Sequence, residues 1–114
     1  MPIDYDSFGD TAIELPDPSN GDIDTELQFN TPSVDGTKAG VLSFQVNPTG
    51  TPTVRIEING TTVLTRSYSD PTPRVVQQEN FNQNILNANN EMVLEVTGNG
   101  SASLSDFHVL YKTV

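Results

Sequence analysis

Between Ile23 and Thr113 the chain alternates apolar and polar residues in short runs, and clusters rich in Pro, Gly, Asn and Asp separate the runs. A period of two marks a strand with one buried face, because successive side chains leave a pleated backbone on opposite sides. In Ile23 to Asn30 the alternation is strict, with Ile23, Thr25, Leu27 and Phe29 on one face and Asp24, Glu26, Gln28 and Asn30 on the other. Ala39 to Asn47 places Leu42, Phe44 and Val46 inward, and Thr53 to Asn59 does the same with Val54, Ile56 and Ile58. The intervening Pro48-Thr49-Gly50-Thr51-Pro52 predicts a reversal of the chain. Asn59-Gly60 offers the positive φ angles of a type I′ turn and predicts a hairpin that returns along Thr61 to Tyr68.

Arg74 to Glu79 predicts a further, weaker strand. Phe81 to Asn90 carries five Asn, a residue that bonds its own backbone and so favours turns, and the expectation there is a tight loop with at most one helical turn. Glu91 to Thr97 then turns Met92, Leu94 and Val96 inward, Gly98-Asn99-Gly100 predicts another reversal, and Ser103 to Thr113 buries Phe107, Val109 and Tyr111. A bulge near Ser105 would bring Leu104 onto that same face. About seven or eight short strands of this kind predict an all-β sandwich. The first 22 residues, with Asp4, Asp6, Asp10, Glu14, Asp17 and Asp22 among prolines and small residues, are expected to stand apart as an extended acidic arm, mobile or docked on a partner. The domain proper is then 23–114.

Composition narrows the function. At 114 residues the chain is one domain, able to bury roughly two thirds of the surface its unfolded form exposes. With no Cys, neither a disulfide nor a thiolate metal site is available. Fifteen acidic residues against five Lys and Arg, a net charge of -10, oppose binding to nucleic acid or to an anionic membrane. No stretch reaches the roughly 18 apolar residues of a membrane span, and the start, Met1 to Asp6, lacks the basic and apolar regions of a secretory signal. The expectation is a soluble protein made in the cytoplasm.

Val54 to Val63, with its Asn-Gly turn, resembles the strand, turn and return strand of galactose-binding-like domains. Ile85-Leu86-Asn87-Ala88-Asn89-Asn90 running into Glu91 to Val96 is similar to their Leu-Leu-x-x-Gly-x-Asn segment, with Ala88 in place of a Gly. Ser103 to Tyr111 looks like their closing strand. The resemblance spans residues 23–114 and implies an antiparallel jelly-roll β-sandwich and a binding function, carbohydrate-binding modules being among its members. It also implies a place for calcium: some members set a carboxylate at the position of Asp106 on a structural calcium, with an early acidic partner that Glu14 or Asp17 would supply. The bland alternative is that Asp106 begins an exposed stretch shared with His108.

Other candidate chemistry is sparse. His108 is the only His, which excludes a His-based metal cluster and leaves a Ser-His-Asp triad one possible base. No nucleophile elbow, phosphate loop or dinucleotide fingerprint occurs, so an enzyme is not expected. Sugar recognition asks for an exposed aromatic beside polar groups. With no Trp, Tyr68 and Phe81 are the aromatics outside the inward pattern, flanked by Asp70, Arg74 and Asn82, although Phe81 also fits the core. Two functions follow. The first is a non-enzymatic structural or assembly module, such as a phage capsid decoration or tail-associated protein, docking through its arm and sheet edge on a protein partner or on copies of itself, with a virion location. The alternative is a small carbohydrate-binding, lectin-like module, with calcium as its one possible cofactor.

Overall fold

A computed structural model describes residues 2–69 and 74–114. Its strands are β1 (Ile3–Phe8), β2 (Ile13–Leu15), β3 (Asp24–Asn30), β4 (Ala39–Ile58), β5 (Thr61–Ser67), β6 (Val75–Asn82) and β7 (Asn89–Lys112), with a 3-10 turn at Gln83–Ile85. The frame is an antiparallel ribbon of β4 and β7, paired from Val41↔Leu110 to Ile58↔Met92. Along the other edge of β7 run β1, β2 and β3 in turn, from Ile3↔Lys112 to Asn30↔Asn89. Along the other edge of β4, β6 pairs with Ala39 to Val46 and β5 with Thr53 to Ile58. This wide antiparallel sheet folds over near its middle into two leaves. The first leaf holds β1, β2, β6, the start of β4 and the end of β7; the second holds β3, β5 and the remaining halves of the ribbon.

The fold-over shows in the rings it joins. Phe8 in the first leaf stacks on Phe29 in the second at 4.8 Å between centroids, and Phe8 and Phe44 each stack on Phe107 at 5.6 and 5.4 Å. Around them the predicted inward residues of the ribbon, from Leu42 to Ile58 and from Met92 to Tyr111, form one buried core with Leu15 and Phe29. The architecture is an all-β antiparallel sandwich.

Both expected reversals, Pro48 to Pro52 and Gly98 to Gly100, lie inside long strands, opposite one another: Pro48↔Ala102, Gly50↔Gly100 and Pro52↔Gly98. Turn-forming residues set opposite each other bend two paired strands together instead of reversing either one. Gly50 and Gly100 take φ of 77° and 146°, backbone that glycine enters freely and other residues rarely do. A Cβ on Gly100 would meet the Thr49 carbonyl oxygen at 2.1 Å, and one on Gly50 the Asn99 carbonyl oxygen at 2.7 Å. Proline is tolerated for a separate reason. The Pro52 carbonyl accepts from Tyr68 N at 2.9 Å on the β5 side, so the donor-less nitrogen also faces away from β7 and costs the ribbon no bond.

Within residues 2–22, β1 and β2 are extended strands, and the partner they find is the chain's own last strand. Hydrogen-bonding along β7 occupies an edge that would otherwise be unpaired. The expected bulge is present: the β4–β7 register shifts between Ser43 and Gln45, Asp106 takes φ 54°, and Leu104, Phe107, Val109 and Tyr111 all turn inward. Asn59 and Gly60, at φ 51° and 85°, make the predicted hairpin, and the Asn-rich stretch holds the short 3-10 turn. Ile23, expected inward, is exposed, and β3 begins one residue later.

Gly100→Ala is expected to cost ~3 kcal/mol or more, or to prevent folding, because the added methyl strikes backbone. Gly60→Ala has open space within 4 Å and should cost only about 1 kcal/mol for its positive φ. Equilibrium urea denaturation of the two variants measures the difference.

Candidate functional site

The outer face of the first leaf is built from side chains that alternate away from the core. Two rows cross it: Tyr5, Leu110, Val41 and Asn80, then Ser7, His108, Ser43 and Gln78. Tyr5 is 66% exposed, and of the three tyrosines and five phenylalanines it alone stands exposed. Ser7 Oγ and His108 Nδ1 share a hydrogen bond of 2.7 Å, which fixes the imidazole on the face. Among the described residues no carboxylate hydrogen-bonds that ring, so the pair lacks the third group that orients a catalytic histidine. Shallow hollows flank the rows: one of about 130 Å³ bordered by Ile3, Val41, Leu110 and Lys112, and one of about 210 Å³ bordered by Ser43, Gln45, Val76, Asp106 and His108.

Charge divides the two outer faces. The outer face of the first leaf carries Lys112, Arg74, Asp106 and, on β2, Glu14, whereas that of the second carries Asp24, Glu26, Glu57, Glu91 and Glu95 around Arg55. Arg55 binds Glu95 through Nε at 3.1 Å and Nη2 at 3.2 Å and Glu57 through Nη1 at 2.6 Å; Glu95 first, then Glu57, holds its guanidinium pKa above the ordinary value. Among the described residues no cation pairs with Glu26. A hydrogen bond with Glu91, and then the repulsion of that carboxylate, push the Glu26 pKa above its ordinary value. In a chain of net charge -10, the outer face of the first leaf is the one with fewer carboxylates.

Of the residues expected to contact sugar, the described ones, Tyr68, Arg74 and Asn82, lie in different surroundings. Tyr68 is buried in the core; its hydroxyl donates to Gln77 Oε1 at 3.1 Å, and burial raises its pKa against the opposing pull of Arg66. Its inward turn follows from the backbone bond to Pro52 that ties the end of β5 down. Phe81 is likewise core. Arg74 is exposed and reaches Gln45 Oε1 at 3.5 Å, while Asn82 caps the 3-10 turn at the opposite end of β6, about 26 Å away at strand rise. Asp70 lies outside the described residues. Of the residues named for calcium, Glu14 lies opposite Ser103 on β2, the Asp17 carboxylate accepts from Ser19 N at 2.8 Å within its own turn, and Asp106 sits at the bulge, its N–H donating to Gly9 O. Among the described residues no group of three or more His, Cys, Asp or Glu converges as a metal site. Tyr5 escaped the sequence reading because its strand was assigned to the arm; the signal was the alternation of Ile3, Tyr5 and Ser7 against Asp4, Asp6 and Phe8. Among the described residues no helix is long and apolar enough to cross a membrane.

No family model and no curated protein matches the sequence. Solved structures do match the fold. A segment of dimeric latent PorU from Porphyromonas gingivalis gives a TM-score of 0.61 at 11% identity over 80% of this chain, which spans 10% of that protein. The EclA C-terminal domain, described as a sugar-binding protein, gives 0.60 at 12% identity, covering 90% of this chain and 79% of that one. Carbohydrate-binding module CBM36, in complex with calcium and xylotriose, gives 0.55 at 17% identity, covering 95% and 98%. The chain shares its antiparallel β-sandwich fold with these domains.

Glu26→Gln removes the carboxylate that Glu91 repels. Because the folded pKa of Glu26 is raised, its favourable contribution is present at low pH and is lost as pH climbs through that raised value. The variant should therefore melt higher than the parent at pH 7 and match it below the ordinary value of 4.5, a comparison made by thermal denaturation at both pH values.

Proposed function

We propose that this domain is a non-catalytic carbohydrate-binding module that holds its glycan on the outer face of the first leaf. The observation that carries the reading is the exposed Tyr5 ring beside the polar row of Ser7, His108, Ser43 and Gln78. The apolar C–H face of a sugar ring stacks on such a ring, while its hydroxyls bond to neighbouring side chains that donate and accept. Ser7, Ser43 and Gln78 do both, and His108 is fixed through Nδ1. The shared fold with a sugar-binding domain and with a xylotriose-bound module of nearly the same length supports this reading ahead of phage capsid or tail assembly.

One observation favours assembly as a second reading. Of the large apolar side chains left exposed, Ile3, Tyr5, Leu110 and Val76 all stand on this same face, which suits a protein surface as well as a glycan. A second copy of the chain would approach best here, where few carboxylates oppose it.

A screen of soluble and insoluble polysaccharides, with and without calcium, tests the first reading. At least one polysaccharide should retain the protein, and Tyr5→Ala should weaken that retention about tenfold or more while leaving the melt within ~0.5 kcal/mol of the parent, the side chain being on the surface. No retention on any polysaccharide, or full retention of the variant, overturns it. For the second reading, light scattering should give the mass of a dimer or larger, and Leu110→Asp should return a monomer. A monomeric parent removes that reading.

A further inference from the structure

The second leaf ends in a cleft of about 370 Å³ lined by Gln28, Asn30, Asn59, Asn89, Asn90 and Glu91. Its volume falls within the range of about 300–1,000 Å³ common to small-molecule sites. The floor is rigid. Asn90 is 2% exposed, with Oδ1 accepting from Asn87 N at 2.7 Å and Asn59 Nδ2 at 2.8 Å and Nδ2 donating to Thr31 Oγ1 at 2.9 Å and Asn87 O at 3.0 Å. Asn59 is bound on both sides of its amide, donating to Ile85 O at 2.8 Å and accepting from Glu91 N at 3.0 Å. These bonds join the β4–β5 turn, the start of β7 and the segment after β3, so the shape of the cleft is set before any ligand arrives.

The rim differs from the floor. Gln28 pairs across the strands with Glu91, and Asn30 with Asn89, and all four are exposed. Three amides and a carboxylate present donors and acceptors side by side, the arrangement that neighbouring hydroxyls of a polyol satisfy, since each hydroxyl both donates and accepts. No Lys or Arg lines the cleft, and Glu91 with nearby Glu26 repels anions, which excludes phosphates and acidic sugars. No aromatic lines it either, so recognition there is by hydrogen bonds rather than by stacking.

We propose that this amide-lined cleft is a second binding site, for a single neutral sugar unit, separate from the Tyr5 face and on the other leaf. The proposal rests on the carbohydrate-binding reading and makes the domain bivalent. One glycan chain lies on the Tyr5 face while the cleft takes a unit of another chain or a chain end, and the two engagements reinforce each other on a polysaccharide surface.

The test is a nitrogen-15 NMR titration of the full chain with xylotriose, cellotriose and galactose, in the parent, in Tyr5→Ala and in Gln28→Ala/Asn89→Ala. The floor residues are left intact so that the fold is kept, and a thermal melt checks this. The inference expects at least one sugar to shift the backbone amides of Gln28, Asn30, Asn89 and Glu91, and the side-chain amides of Gln28, Asn30 and Asn89, in the parent and in Tyr5→Ala alike. Gln28→Ala/Asn89→Ala should weaken that response about tenfold and leave the shifts around Tyr5 in place. Shifts confined to the Tyr5 face, and abolished by Tyr5→Ala, would overturn the second site while upholding the first. Shifts at neither place, in all three titrations, would overturn both.

Discussion

The structure turns on the contact between Gly50 and Gly100, where β4 and β7 bend together at a separation that leaves no room for a side chain. A straight ribbon of these lengths would expose the inward row of each strand to water. Bent at the two glycines, the ribbon faces itself, and the apolar rows of both halves meet as one core around Phe8, Phe29, Phe44 and Phe107. Burying each such ring contributes about 1.5–3 kcal/mol, against an ordering cost for the chain of similar total size, so the crossing decides whether the sum favours folding at all. The flanking strands add width to each leaf but do not set its direction.

Much of this was legible in the residues. The inward rows from Leu42 to Ile58 and from Met92 to Val109 follow the period of two, the Asn59-Gly60 hairpin follows from its turn chemistry, and the bulge at Ser105 follows from the change of parity between Leu104 and Phe107. What the residues concealed was pairing at long range. Pro48, Gly50 and Pro52 carry local turn signals, and only the knowledge that Gly98 and Gly100 lie opposite them makes a shared bend the better reading. The same holds for β1 and β2. Their acidic, proline-flanked sequence resembles a solvated arm, and their partner lies a hundred residues away, as Ser7 and His108 show.

That misreading also hid the candidate site. Tyr5 acquires meaning only once β1 is laid beside β7, which puts the ring in a row with Leu110 and one step from His108. Conversely, Tyr68 and Phe81 looked available because their runs break the inward pattern, and the folded sheet buries both. The two outer faces that result differ chemically: one holds the exposed ring, apolar side chains and few charges, while the other holds a field of carboxylates ending in an amide-lined cleft. A strongly acidic chain has in this way kept one broad face on which an uncharged ligand meets little competition from hydrated carboxylates.

The absence of Cys and Trp, and the burial of Tyr68 and Tyr111, make Tyr5 chemically addressable in the native protein. Nitration with tetranitromethane, read by peptide mass spectrometry in the presence and absence of a polysaccharide that retains the protein, therefore tests the central claim directly. The account predicts that Tyr5 is the tyrosine modified and that the bound polysaccharide protects it. Equal nitration of Tyr5 with the protein free and fully bound would contradict the placement of the glycan on this face.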